Sequence, residues 1–236
     1  MKKGNMIVDA IILCIITLVL GAILAGVYTI TKKPIEDAQA KANNEACAAV
    51  VVSGDAVKNT VATGQAVSYF ETHDLSNQEV KKGEESAELL SNYVVINEIH
   101  PTEKGGTVYL ADALKGYGGK ISFALGVDQY GATTGISITS QSETAGLGAR
   151  CEEEEFQKEF VDIIEIDESS ELYSKEEPEI NTTTDPEGRK RNLRSKVQAI
   201  TGATVTSRAI TRAVKGIIFY HYDALQNAAA NEGGAQ

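Results

Sequence analysis

The chain has 236 residues, of which 42% are hydrophobic and 23% charged, ordinary values that exclude wholesale disorder. A net charge of -11 makes nucleic acid a poor partner, because a phosphate backbone needs a basic surface. The three cysteines (Cys14, Cys47 and Cys151) form no CxxC pair and the three histidines are scattered, so the chain lacks its own ligand set for zinc or a cysteine-held iron–sulfur cluster.

From Ala10 to Thr31 there is no charged residue. A membrane-spanning helix needs about 20 apolar residues, and a buried soluble helix rarely stays apolar on every face for that length. A cleaved signal peptide has a shorter apolar core of about 7–15 residues. The run therefore predicts an uncleaved transmembrane helix, with residues 1–9 as a short tail before it. Lys2 and Lys3 precede the helix, and Lys32, Lys33 and Lys41 follow it. That near tie in positive charge does not choose an orientation.

Past Pro34, the alanine-rich stretch IEDAQAKANNEACAAVV predicts a helix that continues from the membrane. Ser53–Glu88 reads as irregular, with one short candidate strand at Ala66–Phe70. Then come four runs rich in β-branched or aromatic residues: Tyr93–Glu98, Thr107–Ala111, Lys120–Val127 and Thr134–Ser140. Glycine-rich turns, Gly116-Tyr117-Gly118-Gly119 among them, separate the runs and predict an antiparallel meander. The acidic stretch from Glu152 predicts a short helix with Phe156, Phe160 and Ile163 on one side and its glutamates in solvent. NTTTDPEGRKRN reads as a loop from its Asp-Pro and Gly signals. KVQAI is a short apolar strand, TGAT a turn, and Val205–Asn227 a helix with Ile210, Val214, Ile217, Ile218 and Leu225 at roughly helical spacing.

The strand–turn–helix at Lys196–Lys215 is where chemistry could sit. A helix N-terminus offers free backbone N–H groups and partial positive charge, and phosphates settle there. Gly202 and Ala203 keep the turn small, while Thr201, Thr204, Thr206 and Ser207 supply hydroxyls. Arg208 and Arg212 could add cationic phosphate partners. The same residues also suit an ordinary capped helix, since Thr and Ser cap helices and Gly allows tight turns.

The run Thr201-Gly202-Ala203-Thr204-Val205-Thr206-Ser207 resembles the flavinylation motif of the FMN-binding domain family. That family includes the G subunit of Rnf electron-transport complexes and the C subunit of sodium-pumping NADH:quinone reductases. Glu143-Thr144-Ala145-Gly146-Leu147-Gly148 resembles the family's E-T-P-G-L-G segment, which lies at the flavin. The resemblance implies that Thr204 bears FMN through a phosphoester made by a dedicated flavin transferase with FAD as donor. It further implies that Thr201 is among the cofactor-binding residues, that Gly202 and Ala203 allow close packing, that Thr206 or Ser207 donates to the phosphate, and that Glu143, Thr144 and Leu147 border the ring and phosphate. Two positions depart from the pattern: Gln198 stands where many members have Asp, and Ala145 replaces the usual Pro.

The resemblance also implies an α+β fold, a transmembrane helix ahead of an antiparallel sheet with flanking helices. The expected divisions are a membrane helix at 10–31, a helical linker region at 32–65, an FMN-binding domain at 66–227 and a loose tail at 228–236. No catalytic or metal-ligating residue is assigned to this chain. The implied role is a redox subunit of an ion-translocating ferredoxin:NAD oxidoreductase, inactive alone, on the outer side of the cytoplasmic membrane. Its partners would be other membrane subunits and iron–sulfur subunits. The Rnf type is favoured because the chain is short and TGATVTS leads directly into a helix. The quinone-reductase subunit, a free-standing extracellular flavoprotein and a non-redox membrane-anchored binding module are the alternatives.

Overall fold

The computed structural model describes residues 5–52, 55–58, 93–163, 172–174, 180–184, 190–194 and 196–232. The candidate strand Ala66–Phe70 and most of the irregular stretch around it lie outside the described residues. The chain divides into two units, Met1–Ala42 and Asn43–Gln236.

The first unit is helical. Helix α1 spans Asn5–Val50, with Pro34 inside it. Its N-terminal part is long and apolar enough to cross a membrane, and the aliphatic side chains from Val8 to Ile30 are exposed on every side. Such a surface is stable in lipid and costly in water. Three threonine hydroxyls of this helix are satisfied within it. The hydroxyls of Thr17, Thr29 and Thr31 donate to the carbonyls of Cys14, Ala25 and Val27 at 3.0, 2.8 and 2.9 Å.

The second unit is an α+β domain built on one four-stranded antiparallel sheet, β1 (Val94–Pro101), β2 (Thr107–Ala113), β3 (Ile121–Val127) and β4 (Thr133–Ser140), in that spatial order. The predicted meander is therefore present. Alternation sends Tyr109, Ala111 and Ala113 of β2, with Ile121, Phe123 and Leu125 of β3, to one face. They pack there against Ile210, Val214, Ile217 and Ile218 of a long helix, α3 (Thr204–Glu232). Val108, Leu110 and Ala124 point the other way and pack against Ala46, Cys47 and Val50. The central strands are thus covered on both faces, which is why they read as nearly continuous apolar runs.

Residues 43–50 therefore belong to the folded domain and not to a linker. Gly126 makes this possible. A Cβ there would collide with the Val50 carbonyl oxygen, to which the Thr134 hydroxyl donates a hydrogen bond.

After β4 a 3-10 turn (Gly148–Glu152) leads into the short helix α2 (Glu154–Lys158). Phe156, Phe160 and Ile163 are buried as their spacing predicted, with the Phe156 and Phe160 rings edge-on at 5.2 Å. Strand β5 (Tyr173–Ser174) pairs in parallel with β8 (Val197–Gln198), the strand before the candidate motif. Strands β6 (Ile180–Thr184) and β7 (Lys190–Arg194) form an antiparallel hairpin. That corrects the loop expected for NTTTDPEGRKRN: its consecutive threonines are β-branched and extend readily, and the Asp-Pro and Gly signals lie between the two strands. Helix α3 runs to Glu232, past the expected end at 227, because Ala228, Ala229 and Ala230 are strong helix formers.

Cys47 and Cys151 are free and lie in separate core clusters on opposite faces of the sheet, so they do not form a disulfide. Burial pushes the Cys47 thiol up to about 11 and the Cys151 thiol up to about 12, with nearby glutamate charge adding to each. Both stay protonated and unreactive at neutral pH.

Candidate functional site

The two motifs, far apart in sequence, meet in space. A cavity of about 410 Å³ is bounded on one side by Glu143, Thr144, Leu147 and Gly148. The other side is the run from Gly202 to Thr206, and Tyr117 closes the edge. The size falls within the usual range for small-molecule sites, about 300–1,000 Å³.

Each wall has a local cause. The turn before α3 needs Gly202, whose φ is +81°, a left-handed conformation that other residues adopt only with strain. The Ala203 carbonyl accepts the first intrahelical hydrogen bond, from the Ser207 N–H at 3.0 Å. The N–H groups of the first turn, at Thr204, Val205 and Thr206, have no intrahelical acceptor. That end of the helix carries partial positive charge at the cavity wall. Thr204 is half-buried at the mouth.

The opposite wall is held by Glu143, which is only 8% exposed. Its Oε1 accepts the Gly118 N–H at 2.8 Å, and its Oε2 accepts the Thr206 hydroxyl at 2.5 Å. Gly148 leaves room for this pair, since a Cβ there would lie 2.6 Å from both Glu143 Oε2 and Thr206 Oγ1. Three apolar side chains lining the cavity remain open to solvent: Tyr117 is 75% exposed, Leu147 45% and Val205 51%.

Not every predicted site residue reaches the cavity. Thr201 is exposed and lies outside its lining. Ser207 is fully buried; its Oγ accepts the Ile200 N–H at 2.9 Å and donates to the Ala203 carbonyl at 3.0 Å. Its hydroxyl therefore ties the turn before α3 to the helix, and it lies outside the cavity lining. The Thr206 hydroxyl is likewise committed, to Glu143. Arg212 is turned away, donating to the Tyr93 hydroxyl at 2.8 Å with its guanidinium 4.8 Å from that ring's centre. Three lining residues were not among the candidates: Gly148 and Val205, which stand inside the two motifs, and Tyr117, which stands outside both. Its Gly-Tyr-Gly-Gly context read only as a turn, although an aromatic among glycines was the available signal. Among the described residues, no group of three or more His, Cys, Asp or Glu side chains could hold a metal ion.

Residues 116–218 match the FMN-binding domain family, and residues 1–50 match the RnfG N-terminal region. The similarity to the FMN-binding domain family is confined to residues 116–218, under half of the chain. The matched span begins at the Tyr117 turn and ends in α3, so it contains every wall of the cavity.

Three curated relatives are similar. The chain is 36% identical over 101 residues to the G subunit of a proton-translocating ferredoxin:NAD(+) oxidoreductase complex of Clostridium ljungdahlii, over 43% of this chain and 45% of that protein. It is 33% identical over 99 residues to the Na(+)-translocating counterpart of Acetobacterium woodii, over 42% of this chain and 41% of that protein. The G subunit of an ion-translocating oxidoreductase complex of Methanosarcina acetivorans is 27% identical over 210 residues, 87% of this chain and 89% of that protein. The chain thus aligns with less than half the length of the first two relatives and most of the third.

The FMN-binding domain has residues suited to its ligand. The first turn of α3 suits a phosphate, and the exposed apolar rim of Tyr117, Leu147 and Val205 suits a flat ring.

Proposed function

We propose that this chain is a membrane-anchored electron carrier whose FMN is esterified to Thr204, and that it serves in an Rnf-type complex. Such a complex would couple electron transfer between ferredoxin and NAD to the movement of sodium ions or protons. The observation that carries the reading is the meeting of the Glu143–Gly148 loop with the N-terminus of α3 around one cavity that includes Thr204.

Attachment needs an accessible hydroxyl at a phosphate-binding position, and Thr204 meets both conditions. Its half-buried side chain sits in the first turn of α3, beside Gly202, where the backbone can approach a phosphate closely. Thr201 lies outside the cavity, and the hydroxyls of Thr206 and Ser207 are already bonded within the protein, so they compete poorly. In the esterification the Thr204 oxygen would form a bond to the flavin phosphorus. The pyrophosphate bond of FAD would break, AMP would leave, and the hydroxyl proton would be released. Bound FMN supplies one- and two-electron chemistry; the protein holds and tunes it.

The apolar part of α1 would anchor the domain in the cytoplasmic membrane, with the flavin domain on the outer side. A covalent tether suits that side, where a dissociated FMN would be lost. Electrons entering and leaving would come from neighbouring membrane and iron–sulfur subunits, and a flavin transferase would load the cofactor. The test is to express the full chain with an active flavin transferase and look for flavin fluorescence in the denatured band on a gel. Wild type should fluoresce and Thr204→Ala should not. A dark wild-type band beside a fluorescent control substrate would overturn the reading.

A further inference from the structure

The Glu143 carboxylate links three separate pieces of chain. It arises in the loop after β4, accepts the Gly118 N–H from the β2–β3 turn at 2.8 Å, and accepts the Thr206 hydroxyl from the first turn of α3 at 2.5 Å. The Glu143 N–H is held in turn by Gln141 Oε1 at 2.5 Å, and Gln141 Nε2 donates to Glu152 at 3.1 Å. Space is reserved around the carboxylate. A Cβ at Gly116 would lie 2.7 Å from Glu143 Oε1, and one at Gly148 would lie 2.6 Å from Oε2. Two glycines on different segments thus make room for one buried side chain.

The segments so joined carry the two ends of the site. Tyr117 lies between Gly116 and Gly118 and is largely exposed at the cavity edge. Thr204 lies two residues before Thr206. Glu143 is the side chain of the cavity wall that hydrogen-bonds both the Tyr117 turn and the start of α3. A carboxylate with both oxygens engaged in charge-assisted hydrogen bonds is a stiff link.

We propose that Glu143 is a positioning residue: its carboxylate clamps the Tyr117 turn to the first turn of α3 and so fixes the width of the cavity beside Thr204. This rests on the FMN reading given above. The clamp also sets a negative charge in the cavity wall. Reduction adds electrons to the flavin, so a fixed negative charge nearby holds the reduction potential down.

Hydrogen exchange tests the clamp on the detergent-solubilised full chain prepared without flavin, so its outcome does not depend on whether Thr204 carries FMN. Glu143→Ala should speed exchange of the Gly118 amide on the order of ten- to hundredfold, the range for losing a hydrogen bond to a charged group. Glu143→Gln should restore most of the protection. Its amide oxygen can accept from Gly118 and its NH2 group can donate to Thr206.

A second readout uses flavin-loaded protein. Glu143→Gln keeps the shape and removes the charge, so the midpoint potential should move upward. A tenfold change in the two-electron equilibrium would read as about 30 mV. Thr206→Val leaves the charge and cuts only the link to α3, so it should move the potential less than Glu143→Gln does. Unchanged Gly118 exchange in Glu143→Ala would overturn the clamp. An unmoved potential in Glu143→Gln would overturn the role of the charge. A chain that never takes up flavin would instead count against the function proposed above and leave the exchange result standing.

Discussion

Replacing Gly148 with Ala perturbs the site through one methyl group. The added Cβ would lie 2.6 Å from Glu143 Oε2, 2.6 Å from Thr206 Oγ1 and 2.8 Å from Glu143 Cβ. Ordinary contacts begin near 3.4 Å, so the neighbours must yield by most of an ångström. Either the 2.5 Å hydrogen bond between Thr206 and Glu143 stretches or the 3-10 turn moves. Forcing one extra methyl into a packed site costs about 1–3 kcal/mol. For a domain of this size each kcal/mol lowers the melting temperature by about 2–4 °C, so the expected loss is about 2–12 °C. Differential scanning fluorimetry on the purified full chain measures it. Because the strain is shared with Thr206, Gly148→Ala combined with Thr206→Ala should lose less than the sum of the two single losses. A single-variant loss below about 1 °C, or strict additivity in the double variant, would refute the steric reasoning.

Other expectations concern the core and titration. Ile217 is fully buried between α3 and the sheet, so Ile217→Ala should destabilise the domain by about 2–5 kcal/mol, read from urea unfolding midpoints. Burial lowers the His221 imidazole to about 4, partly offset by the Asp128 charge, whereas an unfolded His titrates near 6.5. The unfolded state therefore binds the proton first, and stability present above pH 6.5 is lost as pH falls toward 4. The loss is on the order of 3 kcal/mol. Stability measured at pH 7 and at pH 4 should fall less in His221→Gln than in wild type. Cys47 and Cys151, buried and held as thiols, should resist maleimide in the native protein and both react after denaturation. A thiol still blocked after denaturation would contradict their separation by the sheet.

How much of this was legible in the sequence depended on how local each signal was. The apolar helix announced itself through an unbroken uncharged run, and the meander through glycine-rich turns between β-branched runs. Tertiary placement was harder to read. The alanine-rich stretch after the apolar run looked like a linker, yet Ala46, Cys47 and Val50 pack on the sheet because Gly126 clears a path for the Val50 carbonyl. The hairpin at Ile180–Arg194 was hidden because its turn signals outweighed its threonines. At the candidate site, both motifs line one cavity, but the hydroxyls they offer are not equally open. Ser207 is committed to Ile200 and Ala203 and Thr206 to Glu143, and only the structure reveals which hydroxyls stay open. Tyr117 was missed because it comes from a turn with no motif of its own and enters the cavity through the Glu143–Gly118 hydrogen bond.

The most direct test of the covalent assignment is peptide mapping of the full chain co-expressed with a flavin transferase. Trypsin cutting after Lys196 and Arg208 releases a peptide that holds Thr201, Thr204, Thr206 and Ser207 together. Fragmentation should place one FMN, joined with loss of water, on Thr204. FMN on another residue of that peptide, or an unmodified peptide from a preparation whose control substrate is flavinylated, would contradict the assignment.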